Sequence, residues 1–211
     1  MAAMTLAKPA RQDKRRRIPT RILVGDTVRL PDVAAAAARL PAGTGVLLRP
    51  YGAPDRLAVG LAAVAVARRR RLVLLVAADW RLAARLGAAG LHLPEGLARH
   101  GVLSPALGWV RRRRLLLTVA AHSPAALARA RCLKAHAALL SPVFPTASHP
   151  GAATLGETRF GLWARRAGLP VLALGGINDR TWRRLAGRAA GAAAIGAFRQ
   201  NKTPRAEARG V

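Results

Sequence analysis

Ser141-Pro142-Val143-Phe144-Pro145-Thr146-Ala147-Ser148-His149-Pro150-Gly151 brings two hydroxyls and an imidazole together just beyond a short apolar run, Ala137 to Leu140. The run reads as a buried strand. The prolines and the glycine after it exclude a helix and hold the loop on a defined path. A second junction of this kind is Pro170-Val171-Leu172-Ala173-Leu174, which runs into Gly175-Gly176-Ile177-Asn178. Successive glycines let backbone amides approach an anion, and Asn178 is suited to cap a helix that begins there. Together the two junctions suggest a phosphate-ligand site at the carboxyl ends of parallel strands. Glycines that serve only tight turns are the plainer alternative.

His122 is the third candidate, at the end of the run Thr118-Val119-Ala120-Ala121-His122-Ser123. An imidazole is suited to moving a proton near neutral pH and needs no metal to do so. The competing reading is a histidine that merely precedes Ser123, the N-cap of the next helix. His92 lies between apolar neighbours on a strand and reads as structural. His100 and His136 have no evident context, and scattered histidines without close carboxylates make no metal site.

The elements that must position these groups alternate along the chain. Candidate strands are Ile22–Gly25, Gly45–Arg49, Leu72–Val76, Gly90–Leu93, Leu115–Val119, Ala137–Leu140, Val171–Leu174 and Ala192–Ile195. Helical stretches are expected from Pro31-Asp32 to about Leu40, Pro54 to Ala67, Trp80 to Leu86 and Ser123 to about Leu133. This alternation without a long insertion predicts an α/β fold, a small (β/α)8 TIM barrel. A doubly wound open sheet is the alternative, because periodicity alone does not show closure. After Phe198 no amphipathic helix is evident, so the last helix is short or missing. A partner subunit in a homo-oligomer, or the basic tail, is a candidate cover for the strands beside it.

Three segments follow: a disordered basic tail over residues 1–20, a barrel over 21–198 and a polar tail over 199–211. At 211 residues the chain fits one domain. Alanine supplies much of its apolar content, which predicts small side chains at the helix contacts. The single cysteine, Cys132, excludes an intramolecular disulfide and fits a reducing compartment. It falls on an expected helix, where packing is the expected role. Leu57 to Ala67 is the longest apolar run and is interrupted by Gly60, so no membrane span is expected. No leader-type apolar region is expected either, and a cytoplasmic location follows.

Thirty-six basic residues against nine acidic ones give a net charge of +27. Such a balance raises nucleic acid as a partner. The runs Arg68–Arg71, Arg111–Arg114, Arg165-Arg166 and Arg183-Arg184, however, fall late in helices or just before strands. Cations there complement the helix dipole. In a barrel those connections gather on the face opposite the site. Solvated helix ends are therefore preferred over a basic RNA-binding face, and only Trp109 supplies an aromatic near such a run.

The segments S-P-V-F-P-T at Ser141–Thr146 and P-V-L-A-L-G-G-I at Pro170–Ile177 resemble the thiamine phosphate synthase and TenI family, which folds as a TIM barrel. The resemblance covers roughly residues 21 to 198 and is more specific in its second half. It implies a role in thiamine (vitamin B1) biosynthesis and a phosphorylated, thiazole phosphate-like ligand. Thr146 and Ser148 match the hydroxyls of the family's T-x-T-K loop, with His149 where lysine is expected. Gly175, Gly176, Ile195 and Gly196 match the backbone cradle for the phosphate. Arg49 keeps the arginine of an R-x-K motif whose lysine is replaced by Tyr51. His122 matches the position that TenI-type members are thought to use as acid/base in tautomerising a thiazole carboxylate phosphate.

The family's synthases join a pyrimidine pyrophosphate to a thiazole phosphate with Mg²⁺, which needs carboxylates for the cation and cations for the leaving group. Where the family places an Asn-Asp pair after strand three, this chain has Ala77-Ala78, with Asp79 one position later. After strand four it has His92-Leu93-Pro94-Glu95-Gly96-Leu97 and lacks the family's aspartate. No metal ligand is assigned. Mg²⁺ is expected only for a true synthase, with Asp26, Asp79 and Glu95 as substitute ligands. Three functions stay open: a metal-independent tautomerase, a synthase with rearranged ligands, and a non-catalytic phosphate-ligand binder.

Overall fold

The computed structural model describes residues 17–195 apart from residues 28, 52 and 149. Its parallel strands are β1 Arg21–Asp26, β2 Gly45–Arg49, β3 Val73–Ala77, β4 Gly90–Leu93, β5 Leu116–Ala121, β6 Ala137–Leu140, β7 Val171–Leu174 and β8 Gly191–Ala194. They close in chain order, β8 pairing with β1 through Arg21↔Ala192 and Leu23↔Ala194. The fold is a (β/α)8 TIM barrel. The open-sheet alternative is excluded by that last pairing.

The strands of the closed barrel are apolar on both faces. Successive side chains of a strand point to opposite sides. Ile22, Val24, Leu47, Leu75, Leu116, Leu139 and Leu172 fill the barrel interior. Their neighbours Leu23, Val46, Leu48, Leu74, Val76, Leu117 and Leu140 pack outward against the helices. The helices are α1 Val33–Ala38, α2 Arg56–Arg70, α3 Trp80–Leu86, α4 Glu95–His100, α5 Ser104–Arg112, α6 Pro124–Cys132, α7 Gly156–Arg166 and α8 Asp179–Arg183. Buried alanines such as Ala37, Ala63, Ala83, Ala126 and Ala130 carry much of the helix–sheet contact.

The acidic residues are few, and their placement is orderly. Asp32, Asp55 and Asp79 each cap a helix by accepting an N–H of its first turn. Glu95, Glu157 and Asp179 lie in the first turns of α4, α7 and α8. Among the described carboxylates only Asp26 stands elsewhere, at the end of β1. Basic residues occupy the last turns of α2, α5, α6, α7 and α8. Both placements oppose the helix dipole favourably. Arg184 departs from this rule: it donates to both Glu157 oxygens at 2.8 Å and stacks on Phe144, 5.0 Å from its ring. Trp109, beside a basic run, is packed on Trp80 at 6.2 Å.

Several boundaries differ from those read in the sequence. α1 stops at Ala38 rather than near Leu40, as the residue before Pro41 is disfavoured in a helix. β5 starts at Leu116 and runs on to Ala121. Two helices, α4 and α5, fill the stretch between β4 and β5, where Gly96, Gly101 and Pro105 obscure the periodicity. Cys132 is exposed at the last residue of α6 and does not pack as expected. Ile18 packs against the interior cluster, and the carbonyl of Thr20 accepts the Ala192 N–H at 2.8 Å. Ordered packing thus begins ahead of the boundary expected at Arg21. Of the expected tails, 1–20 and 199–211, residues 1–16 and 199–211 lie outside the described residues. No helix among the described residues is long and apolar enough to cross a membrane.

Candidate functional site

The carboxyl ends of the strands open on a cavity of about 530 Å³. Arg49, His122, Thr146, Ser148, Gly175, Gly176 and Ile195 all line it. They come from the ends of β2, β5, β6, β7 and β8, and barrel closure is what brings them to one place. His149 and Gly196 lie outside the described residues.

One side of the cavity is backbone. Gly175 and Gly176 have φ of +90° and +64°, a region that L side chains rarely adopt. A Cβ on Gly176 would stand 2.5 Å from the Pro145 carbonyl oxygen and 2.7 Å from Phe144 Cβ. The β6 and β7 loops can touch because that atom is missing. Two hydrogen bonds fasten them, from Val143 N to Leu174 O at 3.0 Å and from Phe144 N to Gly175 O at 3.1 Å. Asn178 then starts α8 with a capping box, its Oδ1 accepting from Arg180 N and Thr181 N. Thr181 Oγ1 donates to Gly176 O at 2.9 Å, which ties the glycine turn to the helix. The amides of Gly176 and Ile177 have no acceptor among the described residues. This turn is suited to an anion such as phosphate.

A second side carries charge. Asp26 and Arg49 are register partners on β1 and β2. Arg29, which the sequence reading missed, lies 3.3 Å from Asp26 Oδ2. Its Nη1 also donates to Ser148 Oγ at 2.9 Å and its Nη2 to Ser148 O at 3.3 Å. Arg29 thereby spans from the β1 loop to the β6 loop across the cavity mouth. Only its i+3 spacing from Asp26 hinted at this in the sequence. Arg49 stacks on Tyr51 at 5.2 Å. Burial pushes the Tyr51 hydroxyl above its ordinary pKa, and the Arg49 charge opposes that shift.

Beneath Arg49, His92 points into the barrel with Nδ1 2.9 Å from Thr118 Oγ1. Burial, with a smaller push from the Arg49 charge, holds this imidazole at a pKa of about 3. It is neutral at pH 7 and is a component of the barrel interior. His136 is also committed to structure, its Nδ1 accepting the Leu117 N–H at 3.0 Å.

His122 is at the wall of the cavity. Its Nδ1 lies 2.7 Å from the Ser141 carbonyl oxygen, an atom that only accepts. The Nδ1 proton is thereby held, leaving Nε2 as the atom that gains and loses one. Ser123 does cap α6, through Ala126 N at 3.2 Å, but His122 is oriented by Ser141 rather than by that cap.

A family model for thiamine monophosphate synthase matches residues 16–199. The chain belongs to that family. No curated protein sequence matches it significantly. The thiamine phosphate pyrophosphorylase from Pyrococcus furiosus superposes with a TM-score of 0.66 at 19% identity, over 84% of this chain and 85% of that one. A 3-hexulose-6-phosphate synthase reaches a TM-score of 0.58 at 14% identity, over 84% and 89% of the two chains. FabK from Thermotoga maritima reaches 0.62 at 14% identity, over 83% of this chain and 57% of that one. At such identities these likenesses show the barrel alone.

Within the thiamine monophosphate synthase family, Mg²⁺ is the ion that the synthase reaction implies, and the described carboxylates do not converge on a site for it. Asp79 caps α3, its Oδ1 accepting Leu82 N at 2.9 Å while Oδ2 lies 3.9 Å from Arg56. Asp26 faces Arg29, and Glu95 faces His122. Among the described residues no group of three His, Cys, Asp or Glu side chains converges as metal ligands do.

Proposed function

We propose that this member of the thiamine monophosphate synthase family transfers a proton on a small thiazole phosphate-type ligand, without a metal. The observation that carries the reading is His122: its Nδ1 is fixed on Ser141 O, and its ring lines the same cavity as the Gly175-Gly176 turn. The turn, with Asn178 and Ile195 beside it in the lining of the cavity, would hold the phosphate end. Arg29 and Arg49 offer positive charge to the rest of the ligand. His122 Nε2 would take a proton from one atom of the thiazole carboxylate phosphate and return it to another. No electron pair leaves the ligand and no group is displaced.

The test is deuterium exchange and isomerisation of thiazole carboxylate phosphate by the full chain in D₂O with EDTA, followed by ¹H NMR. Exchange that is lost in His122→Asn, with thiazole phosphate binding retained by calorimetry, supports the reading. Thiamine phosphate formed from the pyrimidine pyrophosphate, the thiazole phosphate and Mg²⁺ would favour the synthase instead. Binding with neither reaction would leave a phosphate-ligand binder.

A further inference from the structure

Among the described residues, Glu95 Oε2 is a buried side-chain oxygen with no hydrogen-bond partner. A buried acceptor left bare is unfavourable and calls for a reason. Glu95 lies in the first turn of α4, just after β4, and its Oε2 stands 3.9 Å from His122 Nε2. Nδ1 of that ring is already committed to Ser141 O at 2.7 Å. The bare oxygen therefore faces the one ring nitrogen whose protonation can change.

The geometry points to Glu95 as the positioning residue for His122, an oxygen held in reserve for the proton that arrives on Nε2. With the ring neutral, Nε2 presents a lone pair and Oε2 accepts nothing. When Nε2 is protonated, a shift of the Glu95 side chain, with the ring still held on Ser141 O, would bring Oε2 onto its N–H as a charge-assisted hydrogen bond. The pair thus favours the imidazolium that forms midway through a proton transfer. The proton comes from the ligand and returns to it, so no co-reactant is required. The charged groups that line the cavity beside His122 are Asp26, Arg29 and Arg49, and Asp26 pairs with Arg29 at 3.3 Å.

A plainer account exists: an acidic residue in a first turn complements the dipole of α4. That account gives Glu95 an effect on stability and none on the His122 proton. The inference rests on the reading of His122 as proton carrier, yet its test does not require turnover.

The experiment is ¹⁵N NMR of the histidine side chains in the full chain, with His122 assigned by the signals missing from His122→Asn. At a pH where both ring forms are visible, Glu95→Gln should lower the ratio of doubly to singly protonated His122 by about threefold, the size of a partly solvated ion pair. Glu95→Asp, which withdraws the carboxylate by one methylene, should give a smaller change in the same direction and serves if the glutamine variant does not fold. Identical ratios in wild type and the folded variants would overturn the proposal. If wild type exchanges the thiazole ligand, Glu95→Gln should lower kcat and leave KM unchanged. If wild type exchanges nothing, the proposed function fails, while the NMR ratio still decides the pairing.

Discussion

Arg29 and Ser148, far apart in sequence, are joined by a 2.9 Å hydrogen bond across the mouth of the candidate site. The bond occupies the hydroxyl expected to meet the ligand. It also brings a guanidinium onto the Thr146–Ser148 loop. Arg29→Ala should weaken thiazole phosphate binding by about tenfold, the worth of one charge-assisted hydrogen bond. Stability should change by less than about 1 kcal/mol, because the ion pair with Asp26 is partly exposed. Calorimetric titration checks this, and unchanged affinity would remove Arg29 from the ligand.

Gly176→Ala should be more damaging than an exposed glycine replacement. Its positive φ costs about 1–2 kcal/mol for any L side chain. The new Cβ would also meet Pro145 O at 2.5 Å and push the β6 and β7 loops apart. Gly187 shares a positive φ of +71° but has open space around its Cβ position. Gly187→Ala therefore measures the backbone cost alone. Urea unfolding of both variants should show the larger loss in Gly176→Ala, and only that variant should lose phosphate binding.

His92 should make the protein acid-labile. The folded ring has a pKa of about 3, below the unfolded value of 6.5. The neutral ring therefore contributes stability that is present above pH 6.5 and lost as pH falls toward 3. At pH 5 the loss from this group is about 2 kcal/mol. Glu157, held below the ordinary carboxylate range by the Arg184 hydrogen bond, adds a loss only below its usual value of 4.5. His92→Gln keeps a polar partner for Thr118 and should flatten the pH 7 to pH 5 difference in urea unfolding. A difference as large as that of wild type would assign the acid lability elsewhere.

Asn178→Ala removes the acceptor for Arg180 N and Thr181 N at the start of α8. Loss of such a cap costs about 1 kcal/mol. Because Thr181 also holds Gly176 O, the phosphate turn should loosen with it. The checks are a lower Tm together with weaker thiazole phosphate binding, both partly restored by Asn178→Asp. A lower Tm with unchanged binding would separate the cap from the turn.

Local order determined much of this protein. The apolar runs at Ile22–Gly25, Ala137–Leu140 and Val171–Leu174 mark strands because a parallel strand covered on both faces must be continuously apolar. Glycines and prolines place the loops around Gly175 and Ser141, while the family resemblance marks Asp79 as one position out of step, where it caps α3. Only the tertiary structure decided closure, through the pairing of β8 with β1. It alone showed that His92 faces inward to Thr118 and that Arg29 reaches Ser148. It alone set the bare Glu95 oxygen opposite His122. The reason is physical: periodicity fixes which face a side chain occupies, whereas a contact between distant residues depends on how the whole sheet curls and in which register it closes.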